Sequence, residues 1–229
     1  WSTNPGDIEL VRSGRVGVQD EGSQLVALAL TNAQVEGDEH NWLDMCAGPG
    51  GKAAILAGVA ASRSIALTAL EPIASRANLV EQSLEHALGQ HEVIVTDART
   101  FTADHQFDRI LIDAPCTGLG ALRRRPESRW RKQPSDIPEL TTLQGQLLDQ
   151  ASELVRIGGV VCYATCSPHI AETDAVVDAF IKRHPSFATI DVSATVPSLN
   201  LPENTHRVRL RPDIHGTDGM YFVLLRRNS

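Results

Sequence analysis

The stretch LDMCAGPGGK, Leu43 to Lys52, decides how this chain is read. The apolar run WLDMCA (42–47) ends in a glycine-proline-glycine-glycine turn, and the alanine-rich segment KAAILAGVAA (52–61) follows at once. A strand, a tight glycine turn and a helix form the opening unit of a nucleotide-binding α/β domain. The glycines let the backbone approach a ligand, and the helix start presents unpaired N–H groups to it. The loop is GPGGK, which is neither GxGxxG nor the GxxxxGK[ST] of a triphosphate cradle. A nucleoside cofactor without phosphate, such as S-adenosylmethionine, suits it better.

Working outward, strands and helices alternate. SIALTALEP (64–72), HEVIVTDA (91–98), FDRILIDAPC (107–116), VVCYATCS (160–167) and GMYFVLLRR (219–227) read as strands. QLVALALTNA, ASRANLVEQSLEHALG (74–89), a long amphipathic helix over 139–159 closed by Gly158 and Gly159, and AETDAVVDAFIKRH (171–184) read as helices. Ser23 or Gly22 is the expected cap of the first of these. The pattern predicts a mostly parallel sheet with helices on both faces. Residues 1–24 read as a solvated lead-in, 25–229 as one domain, and 186–218 as a long surface connection.

The 229 residues suffice for one large α/β core, and 42% hydrophobic with 21% charged residues is ordinary globular composition. No apolar run is long enough to span a membrane. The first residue is Trp1 rather than Met, so the chain is expected to be a piece of something longer. A net charge of −7 argues against general electrostatic binding of nucleic acid, although local patches count for more. The four cysteines, Cys46, Cys116, Cys162 and Cys166, have no zinc-ligand or disulfide-framework spacing. Reduced thiols of a cytoplasmic protein are expected, with no metal.

Three acidic residues, Glu71, Asp97 and Asp113, each end a predicted strand on the edge that carries the glycine loop. Ligands of open α/β sheets bind at that edge. Glu71 follows Lys52 by about 20 residues, the spacing of an acid that accepts from ribose hydroxyls. Asp97 is then within reach of a base. Cys116 and Cys166 also fall at two strand ends, facing one pocket. A lone cysteine is usually inert. Two beside a cofactor loop point to chemistry, whereas Cys46 and Cys162 keep a structural reading.

LDMCAGPGGKA, DAPCTGLGALRRRPESRW, YATCS and RLRPDIHGTDGMYF, in this order, resemble the motifs of the RNA cytosine-C5 methyltransferases, most closely the Fmu branch of the ribosomal RNA small subunit methyltransferase B type. VQDEGSQ (18–24) resembles the segment before that family's first motif, so the likeness runs from about Val18 to Leu225. It implies a Rossmann-like class I S-adenosylmethionine-dependent methyltransferase fold with an antiparallel C-terminal strand. It also implies an N-terminal helical RNA-binding domain in full-length members, which is expected to lie outside this chain. The implied activity is methylation of cytosine C5 in RNA, with 16S ribosomal RNA the first expectation and tRNA or another rRNA site the second.

Cytosine C5 is a weak nucleophile, and a thiolate adding to C6 activates it. The resemblance makes Cys166 that nucleophile and Cys116 the group that assists release; strand ends alone do not order them. Asp113 is expected on the cytosine N3/N4 edge, and Lys52 beside substrate or cofactor, where it lowers a thiol pKa. By the same likeness Cys46, Ala47, Gly48, Pro49, Gly50, Gly51, Lys52, Glu71, Arg76, Asp97 and Asp113 hold S-adenosylmethionine. The family commonly has Asp where Glu71 stands.

Arg123, Arg124, Arg125, Arg129, Trp130, Arg131 and Lys132 form a basic stretch directly after DAPC. Arginines grip phosphates and a tryptophan stacks on a base, so this loop is expected to hold RNA, with a weaker extension over Arg207, Arg209 and Arg211. His215 and Asp218 are placed at the pocket mouth or in a turn. A monomer is favoured. A silent RNA-binding protein on this fold would not need both Cys116 and Cys166. A nucleotide-dependent oxidoreductase would need the missing GxGxxG.

Overall fold

The computed structural model describes residues 4–229; the start of the lead-in, residues 1–3, lies outside the described residues. The helices are α1 (Glu9–Arg12), α2 (Glu21–Asn32), α3 (Gly51–Ser62), α4 (Ala74–Leu84), α5 (Ser128–Arg131), α6 (Ile137–Leu154), α7 (Asp174–Arg183) and α8 (Pro212–His215). The strands are β1 (Asn41–Asp44), β2 (Ala66–Leu70), β3 (His91–Ile94), β4 (Phe107–Asp113), β5 (Val155–Thr165), β6 (Phe187–Thr189), β7 (Arg207–Arg209) and β8 (Tyr221–Arg227).

The sheet order is β3-β2-β1-β4-β5-β8-β6, with β7 also on β8. Strands β1 to β5 pair in parallel, and β8 is antiparallel to β5. The expected class I methyltransferase architecture is therefore present, including the antiparallel C-terminal strand. The order reverses between β1 and β4, and the crevice outside a reversal point is where such sheets bind ligands.

Successive side chains of a strand point to opposite faces. In β5, Val160, Cys162 and Ala164 pack in a core with α2, α3 and α4, while Val161 and Tyr163 pack in a second core with α6 and α7. Both faces are thus covered, as a parallel sheet requires. Residues Ala53, Leu56, Ala57 and Ala60 form the buried stripe of α3.

Three local readings are corrected. Asp20, rather than Ser23 or Gly22, caps α2, accepting from Gly22 N at 2.9 Å, an interaction worth about 1 kcal/mol. Helix α6 stops at Leu154 instead of running to residue 159. Val155 already pairs with Phe107, and the pairing resumes at Val160 and Arg109 after an irregularity. Gly158, at φ +78°, serves this strand irregularity rather than a helix end. Finally, 186–218 is no mere surface connection. It adds β6 and β7 to the sheet and buries Val192, Val196, Val208 and Leu210 in the α2 core. Short strands framed by prolines and polar residues carry too little periodicity to be seen in the sequence.

Candidate active site

The C-terminal ends of β1, β2, β4 and β5 and the turn after β3 surround a cavity of about 520 Å³. Met45, Cys46, Gly48, Glu71, Asp97, Asp113, Cys116 and Cys166 are among its lining residues. One wall is the glycine loop. Gly50 has φ +112°, a conformation that L side chains rarely adopt, and precedes the first residue of α3. A Cβ on Gly48 would meet Glu71 Oε2 at 2.2 Å. The bare backbone is what lets this loop lie against the acid.

Glu71 is 2% exposed. Its Oε1 accepts from Ile73 N at 3.0 Å, and its Oε2 lies 3.3 Å from the Arg76 guanidinium. Arg76 also donates to the Gly48 carbonyl at 2.7 Å, tying loop and acid together. Asp97 lies in the turn beyond β3 rather than at its last residue. Arg99, which the sequence did not single out, grips its carboxylate at 2.6 Å and holds its pKa down by that hydrogen bond.

Asp44, the last residue of β1 and embedded in an apolar run, lies directly behind the cavity wall, next to the lining residues Met45 and Cys46. It obeys the same strand-end rule as the other acids. It is 1% exposed, its Oδ1 accepts from Cys46 N at 3.2 Å, and its Oδ2 has no partner among the described residues. Burial pushes its carboxyl up to about 7, and the nearby Asp113 adds to the effect. A cradle free of side chains and a buried acid with an open lone pair fit a cofactor that brings a ribose and a cationic group.

Lys52, from the first turn of α3, is buried. It donates to Asp113 Oδ2 at 2.7 Å and to Ser23 Oγ at 3.1 Å. Burial opposes its charge, but the Asp113 carboxylate outweighs that and holds its pKa up. Ser23 is thus a tether for Lys52 rather than the helix cap.

Cys116 and Cys166 face each other with Sγ atoms 3.4 Å apart. The two thiols are inequivalent. The hydrogen bond with Cys116 lowers the Cys166 pKa, and the Lys52 ammonium adds to this against burial and the Asp113 charge. The same hydrogen bond, together with burial, raises Cys116 well above its ordinary value. Of the two thiols, Cys166 is therefore the one more readily deprotonated. Burial raises Cys46 and Cys162 as well.

The basic stretch divides. Arg123 pairs with Asp20 at 2.9 Å, and Arg124 donates to Asp218 at 2.9 Å. Both carboxylates are buried, and Asp218 N donates to Asp20 at 3.1 Å, so these arginines fasten the loop to the lead-in and to the DGM turn. Arg125 and Lys132 line the cavity instead. Arg129 is exposed, and so is Trp130, at 79%. The Arg131 side chain lies outside the described residues. Arg207, Arg209 and Arg211 pair with Asp178, Asp174 and Asp213, so they do not extend the free patch. His215 closes a turn with Arg211 N, away from the pocket lining.

No helix among the described residues is long and apolar enough to cross a membrane, and none of their His, Cys, Asp and Glu side chains cluster as metal ligands.

Comparison with known proteins agrees with this geometry. A protein of Mycobacterium tuberculosis strain H37Rv (Rv1407) that bears a methyltransferase name is 52% identical over 225 residues, 98% of this chain and 49% of its own length. The ribosomal RNA small subunit methyltransferase B of Pseudomonas putida is 37% identical over 216 residues, 93% of this chain and 47% of its own length. The chain therefore spans about half the length of the curated relatives it matches. The crystal structure of NSun6 from Pyrococcus horikoshii with SFG superposes with a TM-score of 0.81 over 99% of this chain and 57% of that one, at 22% identity, a likeness of fold. The family model described as 16S rRNA methyltransferase RsmB/F matches residues 29–226. The chain belongs to that family of S-adenosylmethionine-dependent methyltransferases.

Proposed function

We propose that this chain methylates C5 of cytosine in RNA, with 16S ribosomal RNA as the substrate, through a covalent bond between Cys166 and cytosine C6. The observation that carries this reading is the pair of thiols 3.4 Å apart at the ends of β4 and β5, with Lys52 beside the one whose pKa is lowered. Bound S-adenosylmethionine supplies an electrophilic methyl group to C5. In this reading Glu71 and Asp97 take its nucleoside, and the loop 46–52 with Asp44 its methionine end.

The Cys166 thiolate adds to C6, and the displaced electron pair moves into the ring towards N3. Asp113 supports this step. Lys52 occupies Oδ2, leaving Oδ1 for the N3/N4 edge, where a hydrogen bond favours the protonated ring. The electron pair then makes C5 nucleophilic. Once C5 carries the methyl group, a base removes the C5 proton, C5=C6 re-forms and the C6–S bond breaks. The departing thiolate recovers the hydrogen bond that Cys116 donates in the free enzyme, which makes Cys116 the residue that assists release. Arg125 and Lys132 in the cavity wall suit a phosphate, and exposed Trp130 a base. A base must leave any stack to expose C5 and C6, so single-stranded RNA is the cheaper substrate.

The test is transfer of label from S-adenosylmethionine to rRNA. Wild type labels cytosine, Cys116→Ala accumulates a denaturation-resistant protein–RNA adduct, and Cys166→Ala forms none. An adduct with Cys166→Ala reverses the thiol roles. Labelling of tRNA in preference to rRNA replaces the substrate and keeps the chemistry.

A further inference from the structure

Behind the two thiols lies a buried polar cluster that no step above uses. Glu172, between β5 and α7, is 0% exposed. No cation pairs with it among the described residues. Its Oε1 accepts from Thr117 N at 2.8 Å and from Gln144 Nε2 at 3.3 Å. Its Oε2 accepts from Thr117 Oγ1 at 2.6 Å and from Ser167 Oγ at 2.5 Å. Thr117 directly follows Cys116, and Ser167 directly follows Cys166. The two hydroxyls also approach each other at 3.1 Å. Gln144, on α6, donates to the carbonyl of Pro115, the residue before Cys116, at 2.8 Å. Tyr163 Oη donates to the Glu172 carbonyl at 2.7 Å and fixes its backbone from within β5. One carboxylate therefore joins the loop of one thiol to the loop of the other.

Burying a carboxylate without a cation is costly, and its negative charge opposes a thiolate nearby. An apolar residue would fill the space without that cost. What the carboxylate offers is four acceptor directions from one rigid group, enough to bolt two loops together. We propose that Glu172 is a positioning residue: it sets the separation of Cys116 and Cys166 so that the Cys116 S–H donates to Cys166 and keeps it reactive. This rests on the two-thiol reading of the site given above. The role is mechanical, and the geometry separates it from a role of charge. Oε1 receives N–H donors, which cannot reverse. Oε2 receives hydroxyls, which can turn and accept. A glutamine therefore fits, with its carbonyl oxygen in place of Oε1 and its NH₂ in place of Oε2.

The test is the pH dependence of Cys166 alkylation by iodoacetamide in the full chain, followed on the Cys166 peptide by mass spectrometry. It needs no RNA. Glu172→Ala should raise the midpoint by about one pH unit, slowing alkylation about tenfold on the acidic side. Glu172→Gln should leave the midpoint at the wild-type value or below it. Cys116→Ala should raise the midpoint by itself, and adding Glu172→Ala to it should raise it no further, because both changes remove the same hydrogen bond. Thr117→Val, a milder change, should move it in the same direction by a smaller amount and serves if Glu172→Ala does not fold. S-adenosylmethionine binding reports folding in each variant.

A Glu172→Ala protein that binds cofactor with an unshifted midpoint overturns the proposal. So does a glutamine variant shifted as far as the alanine one, or additivity with Cys116→Ala. Failure of wild type to methylate any RNA would overturn the proposed reaction instead, and the alkylation result would stand apart from it.

Discussion

Lys52 Nζ lies 2.7 Å from Asp113 Oδ2, a buried ammonium against a carboxylate at the end of β4. The pair joins the cofactor loop to the thiol side of the cavity, because Lys52 also lowers the Cys166 pKa and Asp113 raises it. Removing one member of such a pair leaves the other charge uncompensated. Lys52→Met should therefore raise the Cys166 pKa and cut methyl transfer by roughly 10²–10³-fold, the scale for loss of one preorganised electrostatic partner. The pH–rate profile supplies the check: its acidic limb should move to higher pH. An unmoved limb would mean that Lys52 serves binding alone.

Asp44 gives a pH dependence of stability. Its folded pKa, about 7, lies above the ordinary value of 3.8. Between those values the folded state holds the proton more tightly than the unfolded chain does. Stability from this group is thus fully present below about pH 4 and is lost as pH rises towards 7. The full effect is on the order of 4 kcal/mol by linkage, an upper limit. Asp44→Asn should flatten this slope, raising Tm at pH 8 relative to wild type with little change at pH 4. The same variant should bind S-adenosylmethionine more weakly, since the open Oδ2 lone pair becomes a donor. Equal slopes for the two proteins would show that Asp44 titrates normally.

Much of this site is legible in the sequence because the α/β rule places strand ends on one edge. Strand ends and a glycine turn are enough to name Glu71, Asp113, Cys116 and Cys166. The rule fails where the signal is not at a strand end. Glu172 reads as one of several acids opening α7, and only tertiary packing brings it between Thr117 and Ser167. Arg123 and Arg124 read as free cations, since their partners Asp20 and Asp218 are about a hundred residues away on either side. Asp44 was legible by rule but hidden by its apolar neighbours. The end of α6 was not, because strand pairing with Phe107 overrides the glycine signal at Gly158.

The glycine loop can be tested by adding one carbon. A Cβ at Gly48 meets Glu71 Oε2 at 2.2 Å and Arg76 at 3.0 Å, so Gly48→Ala must push the acid or the loop aside. Affinity for S-adenosylmethionine should fall by at least about tenfold, a loss of some 1.4 kcal/mol, and Tm should fall with it, because Arg76 is exposed and can move but Glu71 is buried and cannot move freely. Gly58→Ala is the matched control. Gly58 lies mid-α3 with open space around its Cβ position, and the substitution should stabilise by up to about 1 kcal/mol without touching binding. Calorimetric titration and thermal melts on both variants separate the cases.

The divided basic loop predicts two distinct phenotypes. Trp130 is 79% exposed and buries nothing of the core, so Trp130→Ala should leave Tm and cofactor affinity unchanged. If it stacks on a base, single-stranded RNA should bind more weakly by roughly 1–3 kcal/mol. Arg124 is different. Its guanidinium meets Asp218, a residue only 2% exposed, and Gly219 N in the same turn donates to Gly120 O at 2.8 Å. Gly120 N in turn donates to Cys166 O at 2.8 Å, so the loop is laid directly on the backbone of Cys166. Arg124→Ala leaves Asp218 with only the longer contact of Arg123, at 3.7 Å, and Tm should fall along with RNA binding. Filter binding at two salt concentrations discriminates further. Loss of the phosphate contact expected of Arg125 should reduce the salt slope by about 1, whereas loss of Trp130 should weaken binding without changing it.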